Sequence, residues 1–111
     1  MLDMMQMMGK VKEMQAKLRE AQNSLDKIVV SGEAGAGMVK AIVNGKKKVL
    51  AIEIDPSILN ASDSVLVQDL VVAAVNKAMD EAEVRAREAL RKSTEGLLPN
   101  IPGIDFSQMM G

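Results

Sequence analysis

With 111 residues the chain has room for one domain, and a domain of that size buries roughly two-thirds of its unfolded surface. It holds one aromatic residue, Phe106, and neither Cys nor His. Val, Ile, Leu, Ala and Met must therefore build the interior, and thiol chemistry, imidazole acid–base catalysis and nearly all zinc sites are excluded. The formal net charge of −1 weighs against a binder that is basic overall but leaves local basic patches open.

The N-terminus, "MLDMMQMMGK", does not read as a signal peptide, because Asp3 interrupts it early and no continuous apolar core follows. The longest apolar run, Leu70 to Val75, is far short of a membrane span. A cytoplasmic protein with no membrane partner is expected, and the lack of cysteine fits a reducing compartment.

Met4, Met7, Val11, Met14, Leu18, Ala21, Leu25 and Ile28 fall at the a and d positions of successive heptads. The spacing predicts a helix from about Asp3 to Asp26, about 36 Å long. So narrow a stripe cannot be buried within its own helix. It requires a second helix, from this chain or from another copy.

Ile28 to Ser31 reads as a short strand and Gly32 to Gly37 as a turn. A phosphate loop would place its glycines between a strand and a helix, so that helix N–H groups face the anion. Here a strand follows the glycines and no Gly-Lys-Ser/Thr is present, so they are read as turn residues. "MVKAIV" and "VLAIEI" are two further strands. Asn44-Gly45 as a two-residue turn would place Val39 opposite Leu50, and a longer turn through Lys46, Lys47 and Lys48 would shift that pairing. In either case a three-stranded antiparallel meander with one apolar face is expected, and its outer edges must be covered or paired.

Pro56 ends the third strand, with Asp55 and Ser57 suited to a turn. Ser62 or Ser64 is the expected cap of a second helix running from about Asp63 to Thr94. Its first half is apolar nearly all round and should be buried on several sides. Its second half presents Met79, Ala82, Ala86 and Ala89 on a narrow side, opposite Glu81, Arg85, Glu88 and Lys92. Gly96 and Pro99 close it. Residues 1–96 thus form one domain, and 97–111, without periodicity, form a mobile tail that docks by Leu97 or Phe106.

The stretch "VSGEAGAGMVKAIVNGKKKVLAIEIDPSIL", followed by "LVQDLVVAAVNKA", closely resembles the YbaB/EbfC family of bacterial nucleoid-associated proteins. The specific pieces are Gly32-Glu33-x-Gly35-x-Gly37, Val43-Asn44-Gly45 and Glu53-Ile54-Asp55-Pro56, and the likeness runs from Val30 to Ala78. The resemblance implies an α+β fold, with a long N-terminal helix, a three-stranded antiparallel meander and a long C-terminal helix. It also implies a two-fold homodimer whose paired sheets form a body and whose helices project as arms. DNA binding with loose sequence preference and a place in the nucleoid follow from it, with the basic residues of both helices at the matching positions.

Four groups of residues are candidates for function. Lys10, Lys12, Lys17 and Arg19, with Arg85, Arg87, Arg91 and Lys92, suit phosphate contact, against the plainer reading of solvated helix residues balanced by Glu13, Glu20, Glu81 and Glu88. Lys46, Lys47 and Lys48 suit either a phosphate backbone or protection of a turn and sheet edge. Met7 and Met14 belong to the helix seam, whereas Met5 and Met8, off the stripe, suit a partner surface. Glu53 and Asp55 share a strand face, but no third ligand or nucleophile accompanies them, so neither an enzyme nor a metal or other cofactor is expected.

Double-stranded DNA is the expected partner, bound by a homodimer whose interface uses Val39, Ala41, Val43, Leu50, Ile52 and Ile54. The alternative is a protein-interaction module of replication or recombination complexes, working through its Met-rich helices and sheet edges.

Overall fold

The structure, a computed structural model, describes residues 4–95. The expected roles of Asp3, of Gly96 and Pro99, and of the tail with Leu97 and Phe106 lie outside the described residues.

Helix α1 spans Met4–Asn23 and passes through a 3-10 turn, Leu25–Lys27, into the sheet. Strands β1 (Val29–Ala34), β2 (Val39–Asn44) and β3 (Val49–Ile54) follow, then 3-10 turns at Pro56–Ile58 and Ala61–Asp63, then α2 (Ser64–Ser93). The sheet is antiparallel in the order β1-β2-β3. The α+β architecture is the one expected. The chain resolves into two compact units, one of α1 with the end of α2 from Arg87, the other of Asp26–Ala86.

In the larger unit, α2 lies directly on β1 and β2. Val30, Gly32 and Ala34 alternate inward along β1, and Val39, Ala41 and Val43 along β2. They meet an alanine row on α2, Ala74, Ala78 and Ala82, all fully buried. Small residues let the helix approach closely, and Gly32 sets the limit. A Cβ built there would stand 2.4 Å from the Ala78 nitrogen and 2.6 Å from the Ala74 carbonyl oxygen. Gly32 is therefore a mid-strand residue, not the opening of a turn. It is glycine because helix backbone occupies the space a side chain needs. The turn itself is Gly35–Met38, with Gly35, Ala36 and Gly37 at φ of 64°, 56° and 88°.

The second turn also departs from the simplest expectation. An Asn-Gly two-residue turn needs positive φ at both residues. Here the positive φ, 63°, falls on Lys47. Lys47 N–H donates to the Asn44 carbonyl at 2.9 Å, and Asn44 N–H donates to the Lys48 carbonyl at 3.0 Å. The loop is thus Gly45-Lys46-Lys47, and Asn44 closes it instead of forming its tip. Gly45 N–H donates to Ile28 O at 2.9 Å, which ties it to the β1 side. The longer loop pairs Val39 with Ile54 and Ala41 with Ile52, and a bulge at Leu50 sets Val43 opposite Val49.

At the sheet exit, the Asp55 carboxylate accepts from Ser57 N–H at 2.8 Å. That bond, with the Ser57 hydroxyl, holds the Asp55 carboxyl below its ordinary value. The helix cap lies earlier than expected. Asn60 Oδ1 accepts from Asp63 N–H at 3.1 Å, capping the 3-10 turn that runs into α2, so neither Ser62 nor Ser64 is needed there. The buried side of α2 also differs from the expected one. Ala74, Ala78, Ala82, Ala86 and Leu90 form it, four residues apart, while Met79 and Ala89 are half-buried. The "LVVAAV" run is only partly enclosed, since Val72 is 60% exposed.

In the smaller unit α1 has no fully buried residue. Met14, Leu18 and Ala21 are half-buried, whereas Met4, Met7 and Val11 are exposed. The end of α2 lies along the second half of α1, as a groove lined by Glu13, Lys17, Glu20 and Ala21 on one side and Ala89, Lys92 and Ser93 on the other attests. The heptad seam thus finds a partner helix over its later turns only, among the described residues.

Candidate nucleic-acid interface

The cations fall into distinct environments. On α1, a 100° turn per residue puts Lys12 and Arg19 on one side and Lys10 and Lys17 on another. Lys12 and Arg19 share their side with Gln15, Gln22 and Asn23, all exposed and none acidic. Lys17 lines a groove with Glu13, Glu20, Glu95 and Lys92, so three carboxylates surround two ammonium groups. An anion entering that groove meets net negative charge.

Two of the α2 cations, Arg85 and Lys92, are engaged with acids of their own helix. Arg85 Nε donates to Glu81 Oε1 at 3.0 Å, and Lys92 Nζ lies 3.4 Å from Glu88 Oε1. These pairs are exposed and contribute only a few tenths of a kcal/mol each. They still lower the charge each residue offers to a phosphate. Arg87 and Arg91 are exposed on α2 within the smaller unit.

Lys46, Lys47 and Lys48 are exposed on the β2–β3 turn of the larger unit. The carboxylates singled out beside them have structural work. Glu53 stands opposite Lys40 across the β2–β3 ladder, and Lys40 stands opposite Glu33, which makes a row of alternating charge on the sheet's outer face. Asp55 caps its turn. Among the described residues, no group of three or more Asp or Glu is arranged to hold a metal ion. No helix of the described residues is long and apolar enough to cross a membrane.

The six residues expected at a dimer interface divide in two. Val39, Ala41 and Val43 have 0% exposure and are committed to the chain's own core under α2. Leu50 and Ile52 are 51% and 37% exposed on β3, where α2 leaves the same sheet face uncovered, and Ile54 is half-buried. Sequence reasoning missed Val65 and Val72, both exposed on α2. Their spacing of seven marked a second stripe, on the side of α2 turned away from Ala74.

This architecture has a counterpart among solved structures. The crystal structure of an uncharacterised Helicobacter pylori protein matches it with a TM-score of 0.69, covering 86% of this chain and all of that one. At 23% identity that likeness concerns the fold. The sequence model of the YbaB/EbfC DNA-binding family matches residues 1–97. This chain belongs to the YbaB/EbfC family. A nucleoid-associated protein of Chlorobium phaeobacteroides is 50% identical over 92 residues, which cover 83% of this chain and 81% of that protein. One from Agrobacterium fabrum is 40% identical over 104 residues, 94% of this chain and 96% of its own. The YbaB/EbfC match includes both helices that carry the basic residues, as well as the sheet.

Proposed function

We propose that this chain binds duplex DNA as a homodimer, through exposed cations of α1 and of the end of α2, with little or no sequence preference. Its place of action is the nucleoid, within the cytoplasm. Membership of a DNA-binding family supports the reading. The observation that carries it to particular residues is the acid-free side of α1 bearing Lys12 and Arg19. Lys and Arg meet phosphates by charge, and such contacts position a protein without reading bases. No base-reading motif is present, so any discrimination arises from DNA shape.

The second copy belongs on the open side of the larger unit. Leu50 and Ile52 on β3 are apolar and exposed in one chain, and Val65 and Val72 are exposed apolar residues on the side of α2 turned away from Ala74. Several large aliphatic side chains left in water mark an association surface.

Titration of labelled duplex tests the reading. Binding weakens steeply between low and physiological salt, because each phosphate contact releases counterions. Reversal of Lys12 and Arg19 to Glu abolishes retention of duplex while circular dichroism and dimer mass stay unchanged. An affinity flat across salt contradicts the proposal. The other reading, a surface for partner proteins, is favoured by the exposure of Met5 and Met8. Under it, Met5→Gln with Met8→Gln disrupts a complex. Under the DNA reading the same pair leaves duplex affinity as it was.

A further inference from the structure

The β2–β3 turn carries three consecutive lysines in a conformation the sequence does not favour. A three-residue hairpin loop is a type I turn followed by one residue in the left-handed region, and glycine is the usual occupant of that last position. Here Gly45 opens the loop, and Lys47 takes the left-handed position at φ 63°. A Cβ in that region works against the local backbone. A strained position held by a long cationic side chain asks for a reason beyond the turn itself.

The surrounding structure holds the loop in place. Asn44 is buried, and its Oδ1 accepts from Lys46 N–H at 2.9 Å and from Lys48 N–H at 3.1 Å. One side chain therefore fixes the backbone on either side of Lys47. Gly45 N–H reaches across to Ile28 O, anchoring the loop to β1 as well. The three ammonium groups are exposed, and among the described residues none is within salt-bridge distance of a carboxylate. In this they differ from Arg85 and Lys92, each of which has a Glu one turn away on the same helix. Protection of a sheet edge would not explain them, because a hairpin tip lies beyond the last paired residues of both strands.

We propose that the β2–β3 turn is a second phosphate-contact site for duplex DNA, built on the sheet unit and separate from the cations of α1. It rests on the reading of this chain as a duplex binder and adds a contact point that the helices do not provide. Lys46, Lys47 and Lys48 contact successive phosphates as point charges, and the Asn44 lock supplies the fixed backbone that keeps three flexible side chains on one tip. The left-handed lysine is the stability cost of concentrating charge where the turn alone would select glycine.

Four proteins are compared by duplex titration across a salt series, with thermal melting of each. They are the natural chain, Lys47→Gly, Lys46→Ser with Lys47→Ser and Lys48→Ser, and Lys12→Glu with Arg19→Glu. Each lysine in contact accounts for about 0.9 of the slope of log affinity against log salt. The triple variant is expected to lose two to three times that slope per engaged subunit, with dimer mass unchanged. Lys47→Gly is expected to melt higher than the natural chain and yet to bind duplex more weakly with a shallower slope. A turn serving only structure would give the higher melting with no change in slope, and that result overturns the proposal. If the triple variant keeps the full slope while Lys12→Glu with Arg19→Glu loses it, the turn is excluded and the helix site stands. If the natural chain itself shows no salt-dependent binding, the underlying reading fails and the turn site fails with it.

Discussion

At the scale of single residues, the positions that matter most are those where backbone meets backbone. Gly32 allows β1 and α2 to touch, and the atoms a Cβ would strike belong to the helix main chain. Main chain cannot rotate away as a side chain can. Gly32→Ala is therefore expected to destabilise by the upper part of the ~1–3 kcal/mol range of core overpacking, or to push α2 off the sheet. Urea unfolding measures this, and a midpoint equal to that of the natural chain would refute the close approach. Asn44 acts differently. It is polar and buried, yet its carbonyl oxygen satisfies two turn N–H groups, so its burial carries little desolvation cost.

At the scale of elements, α1 is the informative case. Its heptad stripe is half-buried where the end of α2 lies beside it and exposed from Met4 to Val11. Its cations are likewise unequal, although sequence spacing treats them alike. Lys17 shares a groove with Glu13, Glu20 and Glu95, whereas Lys12 and Arg19 share a side with amides. Lys17→Glu is expected to change duplex affinity by less than threefold, and Lys12→Glu by roughly tenfold, about 1.4 kcal/mol. Fluorescence anisotropy with one labelled duplex distinguishes them, and equal losses would show that the groove acids do not matter.

At the scale of the whole molecule, one copy leaves β3 poorly covered. The core lies under β1 and β2, where α2 packs, and Leu50 and Ile52 remain in water. Leu50→Lys with Ile52→Lys is expected to yield a monomer with unchanged helix content, because these side chains contribute little to the core of one chain. Duplex affinity then falls by about a hundredfold or more, since linked subunits bind with an effective concentration that separate ones lack. Light scattering and circular dichroism check mass and fold. A variant that stays dimeric would place the interface elsewhere.

The sequence by itself determined the order of elements, the helical periods, the antiparallel meander and the family. These depend on local spacing and on turn residues, which act over a few positions. Tertiary structure decided what spacing cannot carry. It selected the longer of the two turns that spacing allowed, Gly45-Lys46-Lys47 over Asn44-Gly45, because the Gly45 N–H is drawn across to Ile28 O and the Asn44 side chain caps the loop. It turned Gly32 from a turn residue into a packing residue, because only the approach of α2 reveals what stands above it. It divided one apolar sheet face into a core half and an open half, because a single helix is too narrow to cover three strands. It also separated lysines that look alike in sequence, because the carboxylates that neutralise them come from other elements or from the next helical turn.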